Sequence, residues 1–120
     1  MAIDHELAPE QWAPFLDRVS EELRNAEVSI EIIGAPGPRQ VQAHNLALQT
    51  LAYDRRGDVF EVSAARGGAH VPSVLRHLVD HPERIVIDGG AATTPSTIAI
   101  DDHDGVRTLV RIALPDSFAG

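Results

Sequence analysis

The chain contains no cysteine, which excludes a disulfide framework, a thiol nucleophile and a thiolate metal site. It contains no lysine either. All ten basic residues are arginine, set against eighteen carboxylates for a formal charge of -8. Such a surface repels phosphate backbones. No arginine run with interleaved aromatics interrupts it, so nucleic acid is not expected as a partner. Long apolar runs are also missing, so no segment is expected to span a bilayer and no membrane partner is expected. Met1-Ala2-Ile3-Asp4-His5-Glu6 lacks the basic start and apolar core of a secretory signal, and the cytoplasm is the expected compartment. Aromatics are scarce: one Trp, one Tyr and three Phe.

What is present describes an acidic globular domain. Its 120 residues, 43% hydrophobic with a mean hydropathy of -0.09, suffice for one core without staples. The expected organisation is an N-terminal extension over residues 1–8, a single domain over 9–114 and a flexible tail over 115–120. Trp12, Phe15, Leu16, Val19 and Leu23 recur at three- and four-residue spacing and predict an amphipathic helix from Pro9 to about Asn25. Pro14 predicts a kink or a later start near Ala13. Val28, Ile30 and Ile32 alternate with polar neighbours as a strand does. Gly34-Ala35-Pro36-Gly37-Pro38 breaks it, and Val41–His44 is a short strand candidate.

Two hairpins dominate the remainder. Leu46–Tyr53 and Asp58–Ser63 are joined by a polar turn in which Gly57 is the natural residue for a positive φ. Thr97–Val110 repeats the theme through Thr-Ile-Ala-Ile-Asp and the glycine turn at Gly105. Between them, Val71, Val74, Leu75, Leu78 and Val79 fit a helical stripe opened by Pro72 and closed by His81-Pro82. A strand follows, with Ile85 and Ile87 inward and Val86 outward. The predicted order is helix, strand, hairpin, helix, strand, hairpin, which suggests an internal duplication. The predicted fold class is α+β: a mainly antiparallel sheet with two helices on one face. Tyr53, Phe60 or their neighbours are expected on the other face, partly uncovered and available to a partner or a dimer mate.

Candidate chemistry is sparse. His70, His77 and His81 would share one face of the second helix. His77 and His81, at i and i+4, are candidate metal ligands needing a third group such as Asp80, Asp54 or Asp101. The stretch His77-Leu78-Val79-Asp80-His81 lacks the general-base glutamate of a helical zinc protease. Arg66 and His70 flank Gly67-Gly68 and are candidate anion-binding residues, although the loop matches neither a Walker loop nor a dinucleotide fingerprint. Asp101-Asp102-His103-Asp104-Gly105 fails as a calcium loop, because its first and twelfth positions fall on Ile100 and Arg111. The carboxylates of both turns are expected to titrate normally, and Ser73 has no nucleophile elbow.

Trp12, Phe15, Leu16, Arg18, Val19 and Ser20, together with Tyr53-Asp54 and Asp58-Val59-Phe60-Glu61-Val62, carry a family resemblance. His77, His81-Pro82, Ile85 and the Asp104-Gly105 turn with Val110 and Ile112 extend it. In these features the chain resembles an uncharacterised bacterial family of unknown function, over roughly residues 10 to 114. Its connection at Arg66-Gly67-Gly68 is longer than that pattern. The resemblance implies a small α+β fold and supplies no activity or cofactor. No cofactor is expected, and two roles follow. One is a non-enzymatic protein acting through its sheet face or edge, with a protein partner or as a homo-oligomer. The other is a small-anion or metal module centred on the second helix.

Overall fold

Strand follows strand through most of this chain because short β-branched runs alternate with turn residues. The computed structural model of the protein describes residues 4–34, 40–66, 74–90, 92 and 94–113, with only the backbone described at 40–45 and 74. The elements are β1 (Asp4–Glu6), α1 (Pro9–Glu22), β2 (Glu27–Ile33), β3 (Gln40–Asp54), β4 (Val59–Ala65), β5 (Val74–Asp80), β6 (Pro82–Asp88), β7 (Thr97–Asp102) and β8 (Arg107–Ala113). Every pairing is antiparallel, in the spatial order β1-β6-β7-β8-β2-β3-β4-β5.

Helix α1 begins at Pro9, not at Ala13. Pro14 forfeits the bond to the Glu10 carbonyl, yet the helix continues through it. Trp12, Phe15, Leu16 and Val19 are all buried, and burial of such side chains, about 1.5–3 kcal/mol each, outweighs one missing bond. The Gln11 side-chain oxygen accepts the Ala8 N–H at 2.9 Å. The helix stops before Asn25, whose φ of 71° turns the chain. Asn25 N–H then bonds the Leu48 carbonyl, and Ser20 Oγ accepts the Leu51 N–H beside a register shift in β3. The helix is thus fastened to the middle of the longest strand.

One curled sheet and one helix enclose the core. Val28 and Ile30, Leu48 and Leu51, Phe60 and Val62, Ile85 and Ile87, Ile98 and Ile100, and Val110 point inward from successive strands. The curl brings β5 face to face with β8, where His77 lies 3.4 Å from the buried Thr108 hydroxyl.

The predicted fold class requires correction. The structure is an eight-stranded antiparallel sheet with a single helix, not an α+β layer with two. The apolar residues read as a second helical stripe lie partly in β5, which pairs with β4 from Ala65↔Val74 to Val59↔Asp80 without a shift. Three causes favour the strand. Helices this short are marginal alone, β-branched Val74 and Val79 are stiff in a helix, and pairing along all of β4 satisfies its outer main-chain groups. Both expected hairpins form, as β3–β4 and β7–β8, and the Val41–His44 candidate is part of the 15-residue β3. Residues 4–6, expected ahead of the domain, pair as β1 with β6, and Leu7 is buried. Phe60 is wholly buried, and Tyr53 packs edge-on against Trp12 with ring centroids 5.0 Å apart. Neither lies on an open face. The expected tail lies outside the described residues.

Candidate functional site

Two features stand out among the described residues: the outer edge of the sheet at β5, and a groove where β5 meets the β7–β8 turn. The groove, about 350 Å³, is lined by His77, His81 and His103 together with Asp80, Asp102 and Asp104.

A chain of polar contacts runs from the β3–β4 turn to the groove's His81 and His103. The β3–β4 turn places its positive φ at Asp58 (53°), not at Gly57. The left-handed turn aims the Asp58 carboxylate back along the hairpin. Tyr53 O–H donates to its Oδ1 at 2.6 Å, and His81 Nδ1 lies 3.1 Å from Oδ2. His81 also has a positive φ of 53°, and its N–H donates to the Asp58 carbonyl at 2.8 Å. The His81 ring stands edge-on to His103, centroids 5.4 Å apart, and His103 Nε2 is 3.3 Å from Asp104 Oδ1.

These contacts shift charge states. The hydrogen bond to Asp58, then partial burial, push the Tyr53 phenol up to about 12. The same bond, then that from His81, holds the Asp58 carboxyl below its ordinary value. Asp101 is also held low, first by its bidentate partner Arg107 at 2.7 and 2.9 Å. The expectation of normal titration in both turns therefore fails at Asp58 and Asp101, because each carboxylate accepts directed hydrogen bonds. A phenol with so high a pKa stays protonated and is a weak nucleophile near neutral pH. Tyr53–Asp58–His81 is a clasp joining two turns.

The sequence-predicted site residues separate. His77 points inward from β5 to Thr108, and burial lowers its pKa. His81 turns instead to Asp58. Both border the groove, but the helical i, i+4 geometry that paired them is absent. No group of three or more His, Cys, Asp or Glu suited to a metal occurs among the described residues. Arg66 is exposed just past β4, beside the end where Ala65 pairs with Val74. His81 follows the other end, where Val59 pairs with Asp80. Six residues of strand, about 20 Å, separate the two ends, so Arg66 and His81 do not converge. His70 lies outside the described residues. Sequence reasoning missed the Tyr53–Asp58–His81 clasp, although the hairpin register makes Tyr53 and Asp58 near neighbours.

The second feature is simpler. β5 is a terminal strand of seven residues, paired with β4 alone among the described residues, with neither proline nor lysine. Its outer face carries Arg76, Leu78 and Asp80. Leu78, 47% exposed, is the only exposed large hydrophobic residue among those described. The opposite edge, β1, has three residues, Asp4, His5 and Glu6. Short, charged strands are the usual protection of an edge; β5 is longer and sets the apolar Leu78 between its two outer charges, Arg76 and Asp80.

A single antiparallel sheet clasped by one helix, with one guarded edge and one open edge, defines the class of protein. The chain belongs to a family of unknown function, DUF5335, which matches residues 3–119. It is 32% identical over 105 residues to an uncharacterized protein of Aquifex aeolicus (strain VF5), covering 86% of each chain. The expected membership of an uncharacterised bacterial family is thereby borne out. No solved structure matches the chain. None of the described helices is long and apolar enough to cross a membrane.

Proposed function

We propose that the protein is a non-enzymatic interaction module that works in the cytoplasm through the β5 edge of its sheet. The observation that carries this is the combination at β5: a regular terminal strand, paired with β4 alone among the described residues, with an exposed leucine between two charges. An extended strand added to such an edge gains main-chain hydrogen bonds, and side chains on alternate residues supply selectivity. The polar clasp supports the same role. It fixes the β3–β4 turn to the residue that follows β5, which anchors that end of the edge. The charge of -8 supports a protein partner over a nucleic acid.

The test compares wild type with Leu78→Lys, which places on the edge the residue that natural edges use as a guard. Sedimentation velocity over a range of concentrations reads self-association, and binding of purified candidate partners reads association with other proteins. Lost association in a variant that melts as wild type does supports the proposal. Association unchanged by the substitution, or a protein that stays monomeric and partnerless at high concentration, overturns it.

A further inference from the structure

Arg76, Leu78 and Asp80 follow one another along the outer face of β5, reading positive, apolar, negative. This order is self-complementary under a two-fold rotation. Resting on the edge-pairing proposal above, we infer that the partner of β5 is the β5 of a second copy of this chain. The two strands run antiparallel about an axis at Leu78 and make one continuous sheet through both protomers.

Charge selects the register. An axis at Leu78 sets Arg76 opposite Asp80 of the partner subunit, Leu78 opposite the partner's Leu78, and Asp80 opposite the partner's Arg76. Opposite side chains in an antiparallel pair lie about 4.5–5.5 Å apart at Cβ, close enough for an ion pair. Shifting the axis to His77 puts Arg76 opposite leucine, and shifting it to Val79 puts leucine opposite aspartate. An axis between two residues would join the inner face of one copy to the outer face of the other. Only the Leu78 axis matches like with like on the apolar position and opposite with opposite on the charges. Arg76 is available for it: its side chain is 64% exposed and uses only Nη2 toward Glu61, at 3.1 Å, leaving other guanidinium donors of its five. The inner face raises no conflict, since His77 meets the partner's Val79 there. A two-fold interface of this kind is isologous and closes at the dimer, with no free β5 edge left to propagate.

The chain has no cysteine, so a single introduced thiol can link only to another copy. In full-length protein under mild oxidation, Leu78→Cys is expected to form covalent dimers, because residues facing each other across the axis fall within disulfide range. Arg76→Cys alone and Asp80→Cys alone are expected not to link, since each lies about four residues, roughly 13 Å, from its own copy. An equal mixture of the two is expected to link as heterodimers. In parallel, Arg76→Asp or Asp80→Arg should each raise the dimer dissociation constant roughly tenfold, and mixing them should restore association. A dimer abolished by Leu78→Lys but linked at other positions overturns this register while leaving the edge proposal standing. A chain monomeric at high concentration, with no position linking, overturns self-pairing; edge pairing then survives only if another protein binds wild type and not Leu78→Lys. A dimer indifferent to every β5 substitution overturns both.

Discussion

Gly34 ends β2 at a φ of +103°, directly beneath the turn between β7 and β8. A Cβ built there would stand 2.9 Å from the Gly105 carbonyl oxygen and 3.7 Å from the Val106 Cα. Gly34→Ala therefore meets two separate costs. An L side chain at this φ costs about 1–3 kcal/mol. The obstacle is backbone, which cannot swing aside as a flexible side chain would, and displacing packed structure adds about 1–3 kcal/mol. The sum, about 2–6 kcal/mol, is a large part of the 5–15 kcal/mol that holds a typical domain. Gly105, with φ +84° and no atom within 4 Å of its virtual Cβ, isolates the first cost. No described atom lies within 4 Å of a Cβ built on Gly90, which is not at a positive φ, so Gly90→Ala should lie within about 0.5 kcal/mol of wild type. Urea unfolding of the three variants, with slopes checked for equality, should give the order Gly34 well above Gly105, and Gly105 above Gly90. A Gly34→Ala protein no less stable than Gly105→Ala would refute the close approach of β2 to the turn. The consequence reaches the groove, since that turn carries His103 to the ring of His81.

Two further outcomes concern titration. Burial depresses the pKa of His77 from its ordinary 6.5, so the unfolded chain binds the proton more readily than the folded one. The stability this residue supports is therefore complete above about pH 6.5 and declines as pH falls below it, by at most about 1.4 kcal/mol per pH unit. The stability difference between wild type and His77→Gln, measured by urea unfolding from pH 8 to 5, should fall on acidification; a difference that is flat or grows contradicts the burial of His77 against Thr108. Tyr53 is the single tyrosine, so its ultraviolet titration reports one phenol. Ionisation near 12 is expected in the folded protein, moving toward the ordinary value of about 10 in Asp58→Asn; any stability from this bond is complete below pH 10 and lost as pH rises through 12. A wild-type phenol titrating near 10 contradicts the clasp.

Much of the architecture was legible because local and long-range preferences agree. Val28 and Ile30 alternate with polar residues and enter the core as a strand. The two hairpins fold where turn residues separate β-rich runs, and the stripe from Trp12 to Val19 is the buried side of α1. The clasp was illegible for a different reason. It depends on Asp58, not Gly57, taking the left-handed conformation, and on two turns distant in sequence meeting once the sheet curls. No local pattern encodes that meeting.

The failure at β5 has a more specific origin. As a strand it faces Leu75, His77 and Val79 inward and Arg76, Leu78 and Asp80 outward. Two of these six are on the side that a simple pattern would not choose. His77 sits inward, where a polar residue is costly unless bonded, and Thr108 supplies the partner. Leu78 sits outward, where nearly half of it remains exposed in the monomer. Together they break the alternation of a half-buried strand, and Leu78 joins Leu75 and Val79 at helical spacing instead. The residue that disguised the strand as a helix is thus the residue left exposed on the open edge. In the proposed edge pairing Leu78 gains a neighbour that the monomer does not supply. Across a two-fold axis it would face its own copy and be apolar against apolar, with charges matched on either side, and the pattern would be consistent at the level of the dimer.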